Sequence, residues 1–246
     1  MRKDKNLTYA QQFQEVFKNL CRTRNPLRAW SDSITMIACA ISNSVDEEMF
    51  DQREQLYMHT IQKYSKDELN DVAHLFAIIV NALKDDPEQD FLGTLYSTLG
   101  LTNKQLGQVF TPYHIAELMA RLVHEKYIAI INEKGFAAVA DPCCGAGVML
   151  IATANVARKN DVNYQSHMFF YAQDIDFTVA MMCYISLSLL GCTGYVGVGN
   201  TLTDPRPSRE NLWYMPMNMI QGKLLKKFLS QDDVVIEETC QRKSSP

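Results

Sequence analysis

Apolar residues recur every three or four positions along roughly the first 130 residues, the period of helices packed on a core. Phe13, Val16, Phe17 and Leu20 place one helix in residues 7–20. Residues 29–41 are apolar throughout and predict a buried helix, while 46–64 and 65–83 are amphipathic. Ser65 followed by Glu68 is a capping-box start. Asp85-Asp86-Pro87 breaks the pattern, and a further helix is predicted over 89–98, ending near Gly100. After Gly135 the texture changes. Phe136-Ala137-Ala138-Val139-Ala140 predicts a buried strand closing on Asp141-Pro142. Helix 147–159, strand 168–172, helix 177–190 and strand 195–198 follow. Alternation of this kind predicts βαβ units in a parallel sheet. Beyond it, 211–219 reads as a fourth strand, 222–229 as a short basic helix and 233–238 as one more strand. The resulting division is a helical domain over 1–105, an α/β domain over 106–230 and a tail over 231–246.

An apolar share of 47% and a charged share of 21% suit a globular chain with a sizeable core. A net charge of -4 argues against a basic nucleic-acid surface spread over the whole molecule, leaving a local groove or a DNA-reading partner. No run of 18 apolar residues is present, which predicts no membrane span. The N-terminus has no apolar signal core. Seven cysteines at irregular spacing, with no Cys-x-x-Cys pair, predict reduced thiols in the cytoplasm. The adjacent Cys143 and Cys144 read as small residues in a tight turn. His59, His74, His124 and His167 lack ligand spacing, so no metal is expected. His114 reads as part of a helix face, and the lysines of 222–227 as a solvated surface rather than a phosphate contact.

The chemistry concentrates in Asp141-Pro142-Cys143-Cys144-Gly145-Ala146-Gly147. Ligands of open α/β sheets bind at the carboxyl ends of the strands, where this turn is predicted to lie. Gly145 and Gly147 let a ligand approach the backbone, and the next helix offers free N–H groups. Asp174, at the predicted end of the second strand, suits the two hydroxyls of a ribose. Asp176 reads as the cap of the next helix. Asn200 has two readings, an adenine contact through its amide or a turn residue.

These motifs resemble the N6-adenine DNA methyltransferases, and within them the modification subunits of type I restriction systems. Gly107-Gln108-Val109-Phe110-Thr111-Pro112 resembles the segment that precedes the family's Asp-Pro-x-x-Gly-x-Gly turn and contributes to its S-adenosylmethionine pocket. Asp90, Leu92, Gly93 and Tyr96 resemble an Asp-x-Leu-Gly-x-x-Tyr stretch upstream. Gln173-Asp174-Ile175 and Gly199-Asn200-Thr201-Leu202 resemble Gln-Glu-Ile and Gly-Asp-Thr-Leu downstream. The resemblance spans residues 88–204. It implies a class I S-adenosylmethionine-dependent methyltransferase, with a Rossmann-like α/β sheet beside an N-terminal helical domain. It also implies a cofactor site of Phe110, Thr111, Pro112, Asp141, Pro142, Cys143, Gly145, Gly147, Asp174, Ile175 and Asn200.

One departure bears on activity. The family carries Asn/Asp-Pro-Pro-Phe/Tyr after its fourth strand, where an oxygen and a carbonyl hold the adenine amino group and the ring stacks on the flipped base. The corresponding stretch here is Leu212-Trp213-Tyr214-Met215-Pro216-Met217-Asn218, which leaves Trp213, Tyr214 and Asn218 as catalytic candidates. The 41 residues after Pro205 are about half of what a seven-stranded sheet needs, so the sheet is expected to be incomplete or completed by another subunit. Two functions follow. One is methyl transfer from S-adenosylmethionine to adenine in DNA, as in site-specific restriction-modification enzymes. The other is an inactive S-adenosylmethionine-binding homologue acting as a regulatory or partner subunit, for instance beside a specificity subunit or a second methyltransferase subunit.

Overall fold

The computed structural model describes residues 7–102 and 108–222, together with Lys226. Gly107, the strand expected at 233–238, the tail at 231–246 and most of the basic helix at 222–229 lie outside the described residues.

Five helices open the chain: α1 (Tyr9–Leu20), α2 (Pro26–Asn43), α3 (Phe50–Ile61), α4 (Lys66–Asp85) and α5 (Phe91–Thr98). Local chemistry sets their starts. Thr8 with Gln11 and Ser65 with Glu68 form capping boxes, and Asn25 caps α2 with Pro26 at its first position. The helix expected from residue 46 begins at Phe50, with no side-chain cap at its N-terminus. The helices bury an aromatic cluster of Phe13, Phe17, Trp30, Phe91 and Tyr96, with neighbouring ring centroids 5.5 to 6.2 Å apart.

The second half contains α6 (Tyr113–Lys134), β1 (Ala137–Asp141), α7 (Val148–Lys159), α8 (Tyr164–His167), β2 (Met168–Asp174), α9 (Phe177–Leu189), β3 (Thr193–Val198) and β4 (Leu212–Tyr214). The sheet order is β1-β2-β3-β4. The first three strands are parallel, with Asp141 opposite Ala172 and Asp174 opposite Val198, so their carboxyl ends form one edge. One buried cluster runs from Phe13, Trp30 and Leu75 in the helices to Val139, Phe170 and Val196 on the sheet. The Trp30 indole N–H points at Met182 Sδ, 3.4 Å away, and ties α2 to α9. No helix among the described residues is long and apolar enough to cross a membrane.

The fourth strand differs from expectation. Only three residues of 211–219 are extended, they run antiparallel to β3, and Pro216–Met219 form a 3-10 turn. A parallel strand needs a crossover, usually a helix, whereas the 199–211 connection holds only a three-residue 3-10 turn and returns directly along β3. The N-terminal helices fix this course. The Arg53 guanidinium donates to the Leu212 carbonyl at 3.0 Å and stacks 3.3 Å from the Trp213 ring centroid. Burial lowers the Arg53 pKa to about 10, with Asp46 acting in the opposite direction, so Arg53 remains charged at neutral pH.

Two local constraints yield predictions. Asp90 is buried, and its carboxylate accepts the Gly93 N–H at 2.8 Å. A Cβ on Gly93 would lie 2.0 Å from Asp90 Oδ2, which accounts for the glycine three residues after the acid. Burial pushes the Asp90 pKa up to about 6. A raised acid stabilises the fold below its unfolded pKa, and that stability is lost as pH rises through about 6. Asp90→Asn keeps a capping oxygen without the charge. It should raise neutral-pH stability by on the order of 2 kcal/mol and flatten the fall in Tm between about pH 4 and 6, as read by thermal unfolding. Gly147, at the start of α7, has φ +92, and a Cβ there would meet Cys183 Sγ of α9 at 2.6 Å. Gly147→Ala should cost about 2 to 3 kcal/mol in urea unfolding. Adding Cys183→Ala should recover part of that loss, because the clash goes while the positive φ remains.

Candidate functional site

Three loops meet at the carboxyl edge of β1, β2 and β3, joined largely through backbone groups. The 142–147 turn leaves β1 and leans on β2, with Cys144 N–H donating to the Gln173 carbonyl at 3.0 Å. Asp174 ends β2. Its Oδ2 accepts the Gly145 N–H at 2.8 Å and its Oδ1 accepts the Asp176 N–H at 2.9 Å. The loop after β3 closes the set, because Thr201 Oγ1 donates to the Pro142 carbonyl at 2.6 Å.

Asp141 Oδ1 accepts the Cys143 N–H at 3.2 Å. Burial raises the Asp141 pKa, and the nearby Asp174 charge adds to the effect. Asp176 caps α9 as expected, with Oδ1 accepting the Thr178 and Val179 N–H groups. Its Oδ2 takes the Gln108 amide at 2.9 Å, which fastens the segment before α6 to the sheet. Phe110 packs edge-on against Tyr96 at 5.8 Å, so the aromatic cluster of the N-terminal helices extends to the site.

A cavity of about 580 Å³ opens between the loops. Phe110, Pro142, Cys143, Gly145, Asp174, Ile175 and Asn200 line it, and so does Asp176. Four of the expected residues do not. Thr111 and Pro112 lead into α6, Asp141 lies beneath the turn, and Gly147 packs against Cys183. Gly145 has φ +53, and a Cβ there would lie 3.7 Å from the Phe110 ring, in ordinary van der Waals contact, so the positive φ is what favours glycine at this point of the cavity wall. Asn200 takes the turn role read for it. Its Oδ1 accepts the Leu202 N–H at 3.0 Å, closing a turn, and the residue also borders the cavity. Sequence reasoning missed Gln108, Val109, Val179, Gly199, Thr201 and Leu202 as lining residues. Thr201 and Leu202 stand in a motif already singled out, whereas nothing in the sequence marks Val179 apart from the core of α9. Val109, Ile175 and Leu202 stand well exposed at the mouth, at 89%, 69% and 94%, an arrangement suited to a planar apolar group.

The thiols read as packing. Cys144 is buried against Cys183, and that contact together with burial raises its pKa well above the usual value. Cys143 is exposed at the cavity wall. No cluster of metal-holding side chains occurs among the described residues.

Trp213, Tyr214 and Asn218 do not line the cavity. Trp213 is buried beneath Arg53 and packs edge-on against Phe177 and Tyr184. The Tyr214 ring packs against Tyr195 and lies under Arg209, 4.6 Å from its guanidinium. Asn218 spends its whole carboxamide on Gly194, accepting its N–H at 3.0 Å and donating to its carbonyl at 2.6 Å. Gly194 lies near the amino end of β3, so antiparallel β4 carries these residues away from the carboxyl edge. Tyr214 and Asn218 border a separate hollow of about 380 Å³ beside Asp46, Glu48 and Arg209.

The chain is 38% identical over 85 residues to the type II restriction enzyme and methyltransferase RM.BcgI of Heyndrickxia coagulans. That match covers 33% of this chain and 12% of the relative, so the chain corresponds to a small part of that protein. A solved Listeria monocytogenes structure, described as a class I S-adenosylmethionine-dependent methyltransferase, is 14% identical with a TM-score of 0.37. It covers 79% of this chain and 54% of its own. The model of the N-6 DNA methylase family matches residues 88–222, more than half of the sequence, and the chain belongs to that family.

Proposed function

We propose that the cavity at the carboxyl edge binds S-adenosylmethionine, the methyl donor of this family, and that the chain serves methyl transfer to N6 of adenine in DNA. The observation that carries this reading is the convergence of Gly145, Asp174 and Asn200, from three separate loops, on one cavity of about 580 Å³. That volume falls in the range of small-molecule sites.

The donor set fits the cofactor. Each Asp174 oxygen accepts one backbone N–H and keeps a further lone pair, enough for two ribose hydroxyls. Val109, Ile175 and Leu202 offer apolar surface for the purine. When bound, S-adenosylmethionine supplies an electrophilic methyl group on a sulfonium. This chain's residues orient it, exclude water from the apolar mouth and hold the 142–147 turn in place.

Transfer also needs acceptors for the adenine amino group. Trp213, Tyr214 and Asn218 are committed to packing, so in this reading a partner subunit supplies those acceptors. The same observation favours the second reading, in which the chain binds S-adenosylmethionine without transferring its methyl group and acts as a regulatory or partner subunit.

Calorimetric titration of S-adenosylmethionine tests the site. The wild type should bind, and Asp174→Ala should weaken binding at least tenfold, about 1.4 kcal/mol. Asp174→Asn, which keeps an acceptor for Gly145, should fall between them. Folded wild-type protein that binds no cofactor would overturn the proposal. Incorporation of labelled methyl into adenine-containing DNA, with and without candidate partner subunits, separates the two readings.

A further inference from the structure

Gln173 is a fully buried polar side chain with no place in the cavity wall. Strand alternation puts it on the face of β2 that carries Phe169 and Tyr171, opposite the face on which Phe170 and Ala172 meet the helices. There its Nε2 donates to the Asp204 carbonyl at 2.8 Å. Its Oε1 faces the Tyr171 hydroxyl, which also lies 2.9 Å from the Pro205 carbonyl and donates its single proton to one of them at a time. Pro207 folds back against β3, and its Cγ would lie 3.0 Å from a Cβ on Gly197. The 204–207 segment is therefore seated on the sheet from behind.

That segment continues directly from the cavity wall. Thr203 and Asp204 N–H groups donate to the Asn200 carbonyl, and Leu202 N–H donates to Asn200 Oδ1. Asn200, Thr201 and Leu202 border the cavity. We infer that Gln173 and Tyr171 are positioning residues that set the 200–202 wall of the cofactor cavity through the Asp204 and Pro205 carbonyls. Neither side chain touches the cavity. They act by anchoring the distal end of a loop whose proximal end is β3 itself. The inference rests on the cofactor reading above and adds to it the residues that shape one wall.

Two variants test it, Gln173→Met, which keeps volume without hydrogen bonds, and Tyr171→Phe, which removes only a partly exposed hydroxyl and so guards against loss of folding. Each is read by hydrogen exchange and by S-adenosylmethionine titration. Amides of Leu202, Thr203 and Asp204 should exchange faster in both variants, while Cys144 and Gly145, held by the Gln173 carbonyl and by Asp174, keep wild-type rates. Cofactor Kd should rise on the order of five- to tenfold. A merely structural role would change exchange across the whole sheet and leave the loop no faster than the rest. Unchanged loop exchange in both variants overturns the inference, as does unchanged Kd in variants whose loop is loosened. If the wild type binds no cofactor, the cofactor reading fails and this inference with it. If the wild type binds and the variants bind equally, only this inference fails.

Discussion

The architecture of the site depends on one carboxylate. Asp174 stands where β2 ends, and its two oxygens take N–H groups from two different loops, Gly145 of the turn after β1 and Asp176 of its own turn. Hydrogen bonds to an ionised acceptor are about twice as strong as neutral ones, so this pair fixes the 142–147 turn more firmly than backbone contacts alone would. The cost appears next door, where the half-buried Asp141 is pushed toward its neutral form by desolvation and by the Asp174 charge. With that hub in place the remaining links are short. Cys144 reaches the Gln173 carbonyl, Thr201 reaches Pro142, and Gln108 reaches Asp176. The cavity is the space these links enclose.

The N-terminal helices contribute to the site at a distance. Their aromatic cluster runs through Trp30 and Tyr96 to Phe110, which forms part of the cavity wall. On the far side, Arg53 holds β4 through the Leu212 carbonyl and the face of Trp213, while Arg209 bonds Asp46 and Glu48. A buried guanidinium is costly to strand without partners, which commits β4 to its antiparallel course. That course removes Trp213, Tyr214 and Asn218 from the carboxyl edge. The absence of an Asn-Pro-Pro-aromatic loop in the sequence and the absence of these residues from the cavity thus have a common structural counterpart.

Much of this was legible in the sequence because it is local. Apolar spacing located α1, a continuous apolar run α2 and a capping box α4, and short apolar runs ending at Asp141 and Asp174 located β1 and β2. Residues on strand-end loops, such as Gly145, Asp174 and Asn200, were legible because parallel strands bring their carboxyl ends together. The rest was set by contacts distant in sequence. Arg53 and Leu212 are 159 positions apart, and no local pattern in 211–219 reveals which way a three-residue strand will run. Gly147 looked like a ligand glycine, yet its constraint is Cys183 on another helix. Asn218 looked like a spare carboxamide, yet both of its polar groups serve Gly194. Val179 borders the cavity only because Asp176 starts α9 at that point.

The most direct test of the account is a crystal structure of the protein with S-adenosylhomocysteine, which carries the same adenosine without the methyl group. The account predicts ligand density in the cavity between Gly145 and Asn200, with the ribose hydroxyls on Asp174. Density in the hollow beside Arg209, or a well-ordered carboxyl edge with no ligand at saturating concentration, would contradict it.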